Sequence, residues 1–191
     1  RSRNNMTRTP YPCWGLKLPE AIDEPGEVVS LLLKWRKDDS WLLLGGPAAV
    51  SNEQLWTAWL ALTSRFANSN MRANTKDAEF LRLISGTHQI RIGFERAGLQ
   101  QGDSKIWLIH LPDMENKDIR NREWPKINRN ELDQEANRLM NVFNATLVPH
   151  SPMPVEESVE RLQLTLESGH GSDCQAITRA AIAHIALADF N

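Results

Sequence analysis

Apolar residues recur along this chain in two periods. Trp41 to Leu44 and Lys105 to Leu111 are short apolar runs, closed by Gly45-Gly46-Pro47 and by Pro112, and both predict strands. Glu27 to Trp35, rich in valine and leucine and followed by the charged turn Lys37-Asp38-Asp39, predicts another. Ala145 to Val148, before Pro149, predicts a short edge strand. Between these runs the period lengthens. Leu55, Trp56, Trp59, Leu60 and Phe66 follow Ser51-Asn52-Glu53-Gln54, the pattern of a capping box, so residues 52 to 66 form a helix whose apolar face belongs on a sheet. Thr75 is placed to cap a short second helix with Phe80, Leu81 and Ile84 on one side. Thr87 is placed to cap a third that carries Ile90, Phe94 and Ala97 and ends at Gly98. Asn130 heads a helix running to about Phe143, and Val155, Val159, Leu162 and Leu166 make an amphipathic helix after Pro152 and Pro154. Ser172-Asp173-Cys174-Gln175 opens the last helix, with Ile177, Ala181, Ile185 and Ala188 along one face.

Four prolines within residues 1–26 predict an extended N-terminal lead-in, anchored on the core by Trp14 and Leu16. Residues 27–191 then form a single domain of the α/β class, mixed α+β, with a small mixed sheet of about four strands packed with helices. Residues 113 to 130 are polar and without periodicity, which marks a long loop, and they hold a basic cluster of Lys117, Arg120, Arg122, Lys126 and Arg129.

Composition narrows this picture. An apolar fraction of 41% and seven tryptophans give the chain enough to bury, so it folds. A net charge of −2 exerts no overall pull toward nucleic acid or an anionic membrane, so binding of either kind needs a local patch. One exists between Arg65 and Leu99, where Arg65, Arg72, Lys76, Arg82, Arg91 and Arg96 face only Asp77, Glu79 and Glu95. Cys13 and Cys174 stand far apart, which suits a reducing compartment. No apolar run approaches the roughly 18 residues that would span a bilayer. The chain thus reads as soluble and cytoplasmic, with the nucleus open to it if the source is eukaryotic, and Met6 is a candidate natural start.

Motifs of catalysis are missing. There is no phosphate loop, no dinucleotide fingerprint, no nucleophile elbow and no kinase signature. The five histidines make no metal-binding pattern beyond His170 and Cys174 at i, i+4, so neither a metal nor a cofactor is expected. Ser85-Gly86-Thr87-His88-Gln89 is the stretch whose chemistry stands out: small polar residues precede a helix whose first N–H groups lack partners, with Arg72, Lys76, Arg82 and Arg91 in neighbouring turns. Such a site suits a phosphate or the backbone of a single strand. The same residues also suit a plain connection between two helices capped by Thr87.

The order of residues adds to this. Met71-Arg72-Ala73-Asn74-Thr75, then Glu79-Phe80-Leu81-Arg82-Leu83-Ile84, then Ser85-Gly86-Thr87-His88-Gln89-Ile90, then Phe94-Glu95-Arg96-Ala97-Gly98-Leu99 resembles the smallest conserved subunit of the KEOPS complex, the TPRKB family. Flanking similarity extends over about residues 27 to 111 and 173 to 189. The resemblance implies a compact α/β domain without enzymatic activity, which binds and regulates the small atypical kinase/ATPase subunit of a complex for tRNA threonylcarbamoyladenosine modification. In archaeal relatives the subunit also captures the single-stranded 3′ CCA end of tRNA. The RNA-facing positions it implies here are Arg72, Asn74, Thr75, Ser85, Gly86, Thr87, His88, Gln89 and Arg91, with Ile182 and Ile185 on the kinase face. Many relatives carry arginine where this chain has His88, and a histidine, mostly neutral near pH 7, gives phosphate less. The loop from 113 to 130 has no counterpart among them. Two other readings compete: a small-ligand enzyme that uses the Ser85–Thr87 helix end for an anionic substrate with a histidine as base, and a purely structural interaction module.

Overall fold

A computed structural model describes residues 9–113, 124–167 and 173–191. Four strands and seven α-helices lie among them: β1 (Cys13–Lys17), α1 (Pro25–Trp35), β2 (Trp41–Gly45), α2 (Asn52–Ala67), α3 (Lys76–Ser85), α4 (Ile90–Ala97), β3 (Lys105–His110), α5 (Arg129–Val142), β4 (Thr146–Val148), α6 (Glu156–Leu162) and α7 (Cys174–Ala186). A 3₁₀ turn, Gly46–Ala48, follows β2. The strands form one sheet in the order β2-β3-β1-β4, antiparallel at every pairing rather than mixed.

Both faces of the sheet are covered, and the alternation of β3 shows how. Trp107 and Ile109 point to one side and pack with Leu42, Leu44 and the apolar faces of α2, α3 and α7. Ile106 and Leu108 point to the other and pack with Leu16, Trp41, Leu43, Leu32 of α1, and Ala136 and Leu139 of α5. A two-residue period in the strand thus feeds two cores at once, the larger built around Trp56, Trp59, Phe80 and Tyr11.

Several expectations change. Glu27 to Trp35 is a helix, not a strand. Pro25 stands in the first turn, where its missing N–H costs nothing, and Glu27 suits the positive end of the helix dipole. Leu32 is buried on the second core with Val28, Val29 and Leu31 against it, a helical stripe that the run of β-branched and leucine residues hides. Nor do residues 9–26 lie outside the domain as a lead-in. Cys13–Lys17 is an interior strand, paired with β3 on one side and β4 on the other. Trp14 and Leu16 are anchored as expected: the Trp14 Nε1–H donates to Asp133 at 2.9 Å, and Leu16 is buried.

Caps shift by a residue or two. Ser51 accepts from the Gln54 amide at 3.0 Å, but the Gln54 side chain serves the preceding turn instead of closing the box, accepting from the Val50 amide and donating to the Ala48 carbonyl. Thr75 makes no side-chain cap, and α4 begins after Gln89, with Thr87 accepting from the Gln89 amide. Asn128, not Asn130, caps α5. α6 stops at Leu162 because Gln163 turns left-handed (φ 52°), so Leu166 lies beyond it. Asp173 caps α7, whereas Ser172 and His170 lie outside the described residues, as do Lys117, Arg120 and Arg122. No helix among the described residues is long and apolar enough to cross a membrane.

Candidate nucleic-acid interface

Helices α3 and α4 form a hairpin at the end of the larger core. Gly86 turns the chain between them at φ 67°, a conformation glycine adopts without penalty. The Gly86 and Thr87 amides close on the Leu83 and Arg82 carbonyls, so the last turn of α3 leaves few carbonyls unpaired. A second glycine, Gly93, lets α4 approach closely: a Cβ there would lie 2.9 Å from the Arg82 Cα.

Charge lies inside the hairpin as well as on it. Glu79 and Arg82 are fully buried, one turn apart on α3, and form an ion pair. The Glu79 carboxylate also accepts from the Ala73 amide at 2.7 Å and the Arg72 amide at 3.0 Å, which folds the 71–73 segment back along the helix. Arg82 donates to the Thr87 carbonyl at 3.0 Å and to Asp189, beyond α7, at 3.1 Å. Asp189 also pairs with Arg65 and, at 3.3 Å, with Arg72. Burial pushes the Asp189 carboxyl up, but the Arg65 and Arg82 guanidiniums outweigh it and hold the group below its ordinary range.

These contacts sort the expected site residues. Ser85, Gly86 and Thr87 are buried. The Ser85 hydroxyl donates to the Leu81 and Arg82 carbonyls of its own helix, Gly86 packs under the His184 ring, and the Thr87 hydroxyl donates to the Asn191 main-chain oxygen. Those hydroxyls are engaged with the protein itself, which removes the principal support for an anionic-substrate pocket at this helix end. Arg72, Asn74, Thr75, His88, Gln89 and Arg91 are exposed. Arg72 meets His88 through the stretch from Asp189 to Asn191, which touches both. Thr75 stands at the far end of α3 from Gly86, about 15 Å away at 1.5 Å per residue, and Asn74 is beside it. Arg91 pairs with Glu95 at 3.0 Å on the solvent side of α4.

On α7, Ile185 is in the core at 3% exposure and cannot be presented to a partner, whereas Ile182 is half-buried. The open apolar residues nearby are Phe66, Leu187 and Phe190. Arg82, expected among the cations that face an anion, is instead fully buried against Glu79, and Glu79 and Asp189, which organise this region with it, have no expected role in the site. Glu79 and Arg82 carried a signal, two opposite charges at i, i+3 within Phe-Leu and Leu-Ile pairs; Asp189 carried none.

A groove of about 1140 Å³ lies on the other flank of α4, lined among others by Arg96, Lys105, Trp107, His150 and Arg161. Its cationic side chains have hydrogen-bond partners within the groove: Arg161 pairs with Asp103, Arg96 donates to the neutral Gln163 at 3.0 Å, and the Lys105 Nζ lies 2.6 Å from His150. No group of three or more metal-ligating side chains occurs among the described residues.

Fold and site together define a three-layer α/β/α protein with an antiparallel sheet and a helical hairpin, α3–α4, whose exposed rim carries Arg91 and has Arg72 beside it. No protein-family model and no curated protein matches the chain.

Proposed function

We propose that this protein is the kinase-binding accessory subunit of a KEOPS-type tRNA threonylcarbamoylation complex, which positions the single-stranded 3′ end of tRNA rather than carrying out chemistry. The observation that carries this reading is the block from Met71 to Leu99. The residues that resemble the family there make one helical hairpin with Phe80, Leu81, Leu83, Ile84 and Ala97 in the core, Phe94, expected on the apolar face, 45% exposed, and Arg72, His88, Gln89 and Arg91 open to solvent. In this arrangement Arg72 and Arg91 meet phosphates, and the exposed His88 and Gln89 side chains offer hydrogen bonds to bases or riboses. Ser85, Gly86 and Thr87 shape the turn and lend no side chain to RNA. Asn74 and Thr75, at the other end of α3, belong to a more distant part of the strand's path. The kinase face then centres on Ile182, Leu187 and Phe190 rather than on Ile185.

The test is a titration of tRNA with and without its terminal CCA at two salt concentrations. Tighter binding of the intact form is expected, and equal affinity for both forms would sink direct capture of the tail. Arg72→Glu should weaken binding and flatten the salt slope by about one charge contact or more, because each neutralised phosphate contributes to that slope. Co-purification of a small kinase checks the other half.

A further inference from the structure

The exposed rim of the hairpin is already in contact with oxygens from the protein's own chain. Beyond α7, Asp189 sends its carboxylate to Arg65, Arg72 and Arg82, and two residues later the Asn191 main-chain oxygen accepts from the His88 amide at 3.1 Å and from the Thr87 hydroxyl at 3.3 Å. The His88 ring contacts the same oxygen. Resting on the RNA-binding reading above, we propose that residues 189–191 are an internal occupant of the nucleic-acid face. The Asp189 carboxylate and the Asn191 main-chain oxygen occupy the donors that an oxyanion and a second oxygen of a bound strand would use, so docking of residues 189–191 and RNA binding exclude each other.

The energetics favour exchange over permanent closure. The Phe190 side chain is 83% exposed and anchors nothing, and Arg72, half exposed, makes an ion pair of the weak, solvated kind, so the more buried Arg65 and Arg82 are what hold Asp189. Ala188, by contrast, is fully buried, so release begins at Asp189 and leaves α7 in place. Arg82 is fully buried, and baring its charge would be costly, but Glu79 still neutralises it when Asp189 departs. What release uncovers is the exposed guanidinium of Arg72, the partly buried Arg65, and the His88 N–H at the head of the hairpin's second arm. These are donors for an anionic ligand in a place where three arginines face one remaining carboxylate, that of Glu79.

The experiment measures anisotropy of a labelled single-stranded RNA ending in CCA against four chains: wild type, Asp189→Asn, a chain ended after Ala188, and Glu20→Gln as a control for loss of one exposed negative charge away from the site. A tail docked for nine-tenths of the time lowers apparent affinity about tenfold. Asp189→Asn and the shortened chain should therefore bind roughly three- to tenfold tighter than wild type, with Glu20→Gln gaining less than either. Should Asp189→Asn fail to fold, the shortened chain carries the comparison. Binding by wild type with no gain in the tail variants overturns the exclusion and leaves the RNA reading standing; no binding by any chain overturns both. Hydrogen exchange supplies a readout without RNA: the His88 amide should exchange slowly in wild type and fast in the shortened chain, and fast exchange in both overturns the docked tail.

Discussion

Glu79→Gln tests how the hairpin is held together. The two oxygens of Glu79 serve different partners: one accepts from the Arg72 and Ala73 amides, the other from the Arg82 guanidinium. Glutamine keeps the shape but has a single acceptor. If its oxygen stays on the two amides, its NH₂ faces the Arg82 N–H groups donor to donor; if it flips, the amides are orphaned in a buried place. Breaking a buried pair by removing one charge costs about 3–5 kcal/mol. Arg82 retains Asp189 and the Thr87 carbonyl, which argues for the lower end, about 3 kcal/mol. With a urea slope of about 1–3 kcal/mol per molar, the unfolding midpoint should fall by roughly 1–3 M. Trp56 and Trp59, packed edge to face in the same core, report the transition by fluorescence. A second chain, Glu79→Gln with Arg82→Met, separates a lost charge from a lost shape and should recover part of the deficit. A midpoint shift below about 0.2 M for the single variant would refute the assignment of Glu79 as the carboxylate that compensates Arg82.

Other outcomes follow from the same geometry. Gly86→Ala adds left-handed strain of about 1–2 kcal/mol to a clash with the His184 ring costing about 1–3 kcal/mol, and a lowered urea midpoint checks it. Burial holds His184 below its ordinary range, with Arg96 adding to the effect, and burial does the same to His110 against the opposing pull of Asp38 and Asp113. Both are thus neutral in the folded state at pH values where the unfolded chain binds a proton. Stability should hold above the ordinary histidine value of about 6.5 and fall as pH drops below it, a slope that His184→Gln should flatten in denaturation curves taken between pH 7 and 5. Burial pushes the Cys13 thiol up to about 12, outweighing Arg129, while Cys174 is exposed at the head of α7. A thiol reagent at pH 8 should therefore modify one cysteine quickly and the other only on unfolding, as mass spectrometry of the digested protein will show.

How legible this was depended on whether a residue's role is local. β2, α2, β3 and the α3–α4 pair are encoded by periods and stops that lie within each element, and all were readable. Glu27 to Trp35 differs from the expected strand because valines and leucines in sequence satisfy a strand pattern, whereas Pro25 and Glu27 in the first turn and the packing of Leu32 with α5 favour the helix. β1 was hidden by its prolines: Pro12 and Pro19 flank the strand without entering it, so they punctuate it rather than forbid it. At the hairpin, Ser85, Gly86 and Thr87 have the composition of an anion site and the environment of a buried turn. The difference is made by His184 and Asn191, about a hundred residues away, and no local pattern carries it.

The interior position of β1 also has a kinetic side. Cys13–Lys17 is synthesised before both of its partners, β3, which begins at Lys105, and β4, which begins at Thr146. At about 5–20 residues per second, the strand waits roughly 5–20 s for its first neighbour and longer for its second. During that interval α2, α3 and α4 can assemble from local contacts, while Trp14 and Leu16 remain uncovered and the strand has both edges open. During synthesis this strand is therefore the element most exposed to mispairing and to chaperones, and it is relieved only when Val148 has been made.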